Sequence, residues 1–217
     1  MAQLFPSWSD TALRCLLAVV FFGGVLGVPA LLMAWVRTPM SDDLGKILEQ
    51  PIQFDHRHHV RDDGIDCLYC HHDAERSPAA GVPDTATCMG CHAQVWAESP
   101  KLEPLRRSWY SGQPIAWRRV HDLPDFVFFE HAVHVTRGVG CETCHGRVDL
   151  MAAVYKTQPL TMGWCLDCHR HPEPFLRPPE HVTTMGYRPP EPQAIAGRKI
   201  RARFHIDPPT HCSGCHR

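Results

Sequence analysis

The chain has 217 residues, and its 22 Lys plus Arg against 23 Asp plus Glu leave a formal net charge of −1. So even a balance excludes the basic stripe that nucleic-acid binding needs. Twenty Pro residues and short apolar runs exclude a long-helix bundle or a regular sheet beyond the N-terminus, and predict a mostly irregular chain with short α-helices.

The first predicted element is a membrane anchor. From Cys15 to Val36 the chain runs 22 residues without a charge (CLLAVVFFGGVLGVPALLMAWV), flanked by Arg14 and Arg37. That length crosses the hydrocarbon core of a bilayer. A cleaved signal would carry a shorter apolar region ending in a small-x-small site. Arg14 ahead of Cys15 also argues against lipoprotein processing. Trp8 and Trp35 are expected at the two interfaces, and Gly23 and Gly27 share a face against which another helix can pack.

Beyond the anchor, C-x-x-C followed at once by His occurs five times: Cys67/Cys70/His71, Cys88/Cys91/His92, Cys141/Cys144/His145, Cys165/Cys168/His169 and Cys212/Cys215/His216. The competing reading is structural zinc, because the first two pairs have the spacing of a zinc ribbon. A ribbon, however, needs no His after each pair, and with 16 His in the chain five such coincidences have a probability of about two in a million. The pattern fits c-type haem instead: two thiols add across the two vinyl groups of one porphyrin, and the adjacent imidazole reaches the iron. Five haem c groups are expected. Only Cys15 is left over, so no disulfide framework remains. Attachment of haem to paired thiols takes place outside the cytoplasm, which puts the motifs on the periplasmic side of a bacterial inner membrane and the N-terminus in the cytoplasm. With about 36 residues per haem, the haems themselves must form much of the core.

Eleven His lie outside the motifs, enough to give every iron a second axial ligand. Phe54-x-His56-x-x-His59 ends eight residues before Cys67, and Phe129-x-His131-x-x-His134 ends seven before Cys141. Two His at i and i+3 share a helical face yet diverge, so each can address a different iron. His72 directly follows His71, diverges from that iron and is expected to serve a neighbouring haem. Ten propionates would accompany five haems, and Arg106/Arg107 and Arg118/Arg119 are possible partners for them, alongside an ordinary role as surface charge.

In these residues the chain resembles the class III multihaem cytochromes of the three- and four-haem kind. That resemblance implies His56 for the haem of Cys67/Cys70, His72 for that of Cys88/Cys91, and His59 for a haem further along. It implies His131 for the haem of Cys141/Cys144 and His134 for a later one, that of Cys212/Cys215 being a candidate. Gly146 after His145 departs from the pattern. The haem of Cys165/Cys168 is left without an obvious partner, with His59 and His121 the best candidates and Met162 a weaker one.

Over nearly its whole length the chain also resembles the membrane-anchored pentahaem cytochrome c subunits of alternative complex III. The matching stretches are FDHRHHVRDDGIDCLYCHH, TCMGCH, RVHDLPDFVFFEHAVHV, GVGCETCHGRVD and WCLDCHR, in that order. The resemblance implies an electron-transfer subunit, not an enzyme on its own, in a quinol-oxidising complex. Its partners would be an iron-sulfur, molybdopterin-like subunit, integral membrane quinol-oxidising subunits, a monohaem cytochrome c and membrane lipid. The alternatives are an anchored multihaem quinol dehydrogenase, in which the first haem follows the helix more closely, and a nitrite-type reductase, which keeps one iron open. The expected organisation is an anchor over residues 1–40, a two-haem first repeat over 41–125 and a three-haem second repeat over 126–217.

Overall fold

The computed structural model describes residues 5–38 and 43–217. It divides into two units, residues 1–44 and 45–217. The expected boundary between residues 40 and 41 lies outside the described residues. The second unit spans both expected repeats.

The N-terminal unit is helical over Trp8–Val36, 29 residues with a mean hydropathy of 2.5 in the most apolar window, long and apolar enough to cross a membrane. It consists of α1 (Trp8–Phe22), a π turn (Gly23–Gly27) and α2 (Val28–Val36). The π turn has a local cause: Pro29 carries no N–H and its ring crowds the preceding turn, and the register shifts so that Val28 N–H bonds the Gly23 carbonyl. None of the helix is buried, and side chains added at Gly23, Gly24 and Gly27 would meet nothing within 4 Å.

The second unit contains seven short helices among the described residues: α3 (Cys67–Cys70), α4 (Thr85–His92), α5 (Glu103–Ser111), α6 (His131–Thr136), α7 (Cys141–His145), α8 (Met162–Arg170) and α9 (Gln193–Arg203). Strand pairing among them is confined to isolated bridges such as Val139 with Leu176 and Val127 with His216. The architecture is mostly irregular with short helices, as the sequence predicts. Side-chain caps start three of the helices: Asp66 accepts from Leu68 N, Asp84 from Thr87 N and Thr161 from Trp164 N. Each sits immediately or a few residues before a C-x-x-C pair, so the thiols enter the fold on a defined turn.

The apolar core is sparse. Among the described residues its buried cluster is Ala74, Val135 and Val182, with Leu68 and Ala80 packed against it. Chain crossings elsewhere are made by backbone contact. Gly138 takes φ +84°, its carbonyl accepts from Arg177 N at 2.8 Å, and a Cβ there would overlap the Arg177 carbonyl. In α9, a Cβ on Gly197 would overlap the carbonyl of Glu173 in the turn Glu173–Phe175. Because both partners are backbone, neither side can yield cheaply. Gly197→Ala is therefore expected to destabilise the haem-loaded protein by about 1–3 kcal/mol, read as a lower denaturant midpoint at unchanged slope.

Candidate functional site

Four of the C-x-x-C pairs lie on helical turns in α3, α4, α7 and α8, and the fifth on the short 3-10 turn Cys212–Gly214. On such turns residues i and i+3 share a face, so each pair presents two thiols side by side. All ten are free. Among the described residues no three His, Cys, Asp or Glu converge as a closed metal site would require. The donors are arranged as thiol pairs and imidazole pairs.

The two F-x-H-x-x-H segments have nearly the same side-chain geometry. Phe54 lies edge-on to His56 at 4.7 Å and stacks on His59 at 4.3 Å. Phe129 lies edge-on to His131 at 4.7 Å and stacks on His134 at 4.5 Å. Their backbones differ. The second pair opens the α-helix α6, while the first runs into a π turn, Arg57–Asp62. A π turn holds one residue more than an α turn, which absorbs the one-residue difference between the two His-to-Cys spacings and leaves both imidazoles in place.

Seven imidazoles are oriented in one way. His59, His71, His92, His131, His134, His169 and His216 place Nδ1 against the carbonyls of Asp55, Gly81, Val95, Pro78, Glu130, Pro209 and Phe126 at 2.7–3.1 Å. A carbonyl only accepts, so Nδ1 carries the hydrogen and Nε2 keeps its lone pair for a metal. His56 Nδ1 and His121 Nε2 are buried with no hydrogen-bond partner.

Three ring pairs stand at the separation of two imidazoles bound to opposite sides of one metal, about 6 Å between centres for bonds of about 2 Å. They are His59 with His92 at 6.1 Å, His131 with His145 at 6.3 Å and nearly parallel, and His134 with His169 at 6.1 Å. His56 lies near His71. These residues fit haem c: paired thiols, a following imidazole and an opposed imidazole.

Burial keeps the inner imidazoles neutral, the form that ligates iron. Desolvation, then the imidazoles of His71 and His59, push His56 down to about 4. Desolvation and the neighbouring His121 and His131 push His145 down to about 3. His121 is lowered to about 4 by burial and by Lys156. The thiols respond oppositely: burial pushes Cys144 up to about 12, and burial with Cys165 pushes Cys168 up to about 11.

Several expectations need correction. His72 does not face His92; its side chain is 64% exposed and lies 3.7 Å from Asp73, and His59 takes the position opposite His92. His134 faces His169, so it stands at the Cys165/Cys168 motif and not at Cys212/Cys215. His121 lies edge-on to His145 at 4.3 Å, too close for the two to bracket one iron and away from the Cys165/Cys168 motif for which it was a candidate. Met162 is exposed. Arg106 donates to the carbonyls of Ala97 and Ser99, Arg107 pairs with Glu103, and Arg119 lies 3.5 Å from Asp122.

Sequence reasoning missed Arg177 and the segment around it. Arg177 is buried, donates to Glu142 Oε1 at 2.7 Å and to the Thr184 carbonyl at 2.9 Å, and closes this segment over α7. Its only sequence signal is a charge in a Pro-rich stretch. Thr183 Oγ1 in turn donates to Asp66 Oδ2 at 2.7 Å, and Cys141 N donates to the Val182 carbonyl at 3.0 Å.

Residues 119–146 match the family described as cytochrome c554 and c-prime. The chain is 38% identical over 129 residues to the multihaem cytochrome c subunit of menaquinone reductase from Nitratidesulfovibrio vulgaris, a match covering 59% of this chain. The chain likewise spans 59% of that relative's length. Motifs, opposed imidazoles and these two similarities together make the chain a multihaem cytochrome c.

Proposed function

We propose that the chain is a pentahaem electron-transfer subunit of a membrane quinone-linked complex, held by a single N-terminal span with its haem-bearing part on the periplasmic side. Haem c, when bound, supplies reversible one-electron chemistry at iron. The chain's residues attach it through the ten motif cysteines, ligate it through His71, His92, His145, His169 and His216, and oppose those imidazoles with His56, His59, His131 and His134. His72 has no part in this scheme, and His121 supports the His145 ring.

The observation that carries the reading is the opposition of ring pairs at 6.1–6.3 Å. Imidazoles on both faces of a metal leave no position for a substrate, which favours electron relay over a reductase. Within relay, the alternative complex III resemblance implies a quinol-oxidising complex, in which electrons pass from an iron-sulfur subunit through this chain to a monohaem cytochrome c. The name of the Nitratidesulfovibrio relative favours a second reading in which the flow is reversed, towards menaquinone.

Purification from membranes in mild detergent is expected to yield five haems per chain by pyridine haemochrome assay and intact mass, together with integral membrane and iron-sulfur subunits. Fewer haems, or the chain alone, counts against the proposal. Direction is read on the same complex: a quinol that reduces the haems only when an iron-sulfur centre is present supports quinol oxidation, and pre-reduced haems reoxidised by added menaquinone support the reverse.

A further inference from the structure

The five motifs follow one another along the chain, yet the fold joins them in a different order. The turn that carries His56 and His59 places one imidazole near His71 and the other 6.1 Å from His92, so the first and second motifs are neighbours. Residues 182 and 183 bond both to Cys141 N and, through Asp66, to the cap of α3, and the Cys67 sulfur lies 4.0 Å from the Thr183 carbonyl. This joins the first motif to the third. Helix α6 repeats the first arrangement, with His131 facing His145 and His134 facing His169, and joins the third motif to the fourth. His169 Nδ1 donates to the carbonyl of Pro209 at 2.7 Å, and a Cβ on Gly214 would stand 2.7 Å from Pro209, which joins the fourth to the fifth.

The thiols agree with this adjacency. Cys70 contributes to raising Cys88, Cys67 and Cys141 shift one another, Cys165 and Cys168 contribute to raising Cys144, and Cys215 contributes to raising Cys165. Exposure agrees independently: of the ten motif cysteines, Cys91 and Cys212 are the exposed ones, and they belong to the second and fifth motifs.

We infer that the attachment sites form one unbranched row in the order Cys88/Cys91, Cys67/Cys70, Cys141/Cys144, Cys165/Cys168, Cys212/Cys215, so that electrons enter and leave this chain at the second and fifth motifs. Sequence order is thus not path order, and the first motif is interior. The inference rests on the electron-relay reading of these motifs.

The test is the position of the five irons in the haem-loaded complex, from iron anomalous scattering or a cryo-electron microscopy map that traces each iron to its thioether-bearing cysteines. The expected result is a single file in which the iron of Cys67/Cys70 has two neighbours and the irons of Cys88/Cys91 and Cys212/Cys215 have one each. An iron of the first motif at an end, or a branch at any haem, overturns it. The same map reports the two axial residues at each iron separately, so an incorrect ligand assignment, which would count against the relay reading, is distinguishable from an incorrect order.

Discussion

Replacing His134 by Ala is expected to convert about one iron in five from low-spin six-coordinate to high-spin five-coordinate, and to let the reduced protein bind carbon monoxide at that iron. The physical reason is local. His134 is buried, its Nδ1–H is committed to the Glu130 carbonyl at 2.7 Å, and its free nitrogen faces His169 across a 6.1 Å gap between ring centres. Ala leaves that position empty, and no other described ring stands opposite His169. The iron affected is the one held by Cys165/Cys168, which is established by repeating the substitution in a Cys212→Ala/Cys215→Ala background, where the high-spin signal must persist. If the signal disappears with the last motif, the pairing of His134 with His169 is wrong. His72→Ala serves as the control: its ring is at the surface beside Asp73, and its removal is expected to leave the spin state unchanged.

Arg177→Met is expected to cost about 3–5 kcal/mol of stability, because the guanidinium is buried and its loss strands a largely buried Glu142 carboxylate. The Thr184 carbonyl loses its donor at the same time. Gly140 approaches so closely that a Cβ there would overlap the guanidinium, so the neighbouring backbone is shaped around this side chain. The measurement is the unfolding midpoint of the haem-loaded protein, compared with Arg107→Ala. Arg107 also holds a carboxylate, Glu103, at 2.7 Å, but at the surface, where solvent screens the pair. That variant is expected to stay within about 0.5 kcal/mol of the parent. Equal losses in the two would show that the burial of Arg177 contributes nothing.

What could be read from the sequence divides along a physical line. The C-x-x-C-H motifs are legible because attachment is a local requirement: two thiols three residues apart and an imidazole next to them, whatever the rest of the chain does. The apolar helix and the low regular content are legible for the same reason, since an uninterrupted apolar run and frequent Pro act locally. The opposed imidazoles are long-range. His59 reaches His92 and His134 reaches His169 across more than 30 residues, and nothing at either position marks the other. The argument that His72 must diverge from the iron of His71 was sound, but divergence took it to Asp73 and solvent. The single extra residue in the first repeat was visible as a number, while its absorption by a π turn required the backbone. Arg177 was invisible because a buried cation in a Pro-rich stretch spells the same as an exposed one.

The carbonyls that hold seven imidazoles have a consequence for how this chain can vary. Each acceptor is main chain, at Asp55, Gly81, Val95, Pro78, Glu130, Pro209 or Phe126. A carboxylate in that place would make its imidazole a stronger electron donor, and a point mutation could add or remove it. A peptide carbonyl is present whatever side chain it carries, so donor strength is nearly uniform across these ligands and resists mutation. Differences in affinity for an electron along the row must then come chiefly from depth: His145 sits almost wholly desolvated near the middle, while Cys91 and Cys212 meet water at the ends. Evolution of such a chain would adjust its voltage profile by covering or uncovering its ends, leaving the ligands untouched.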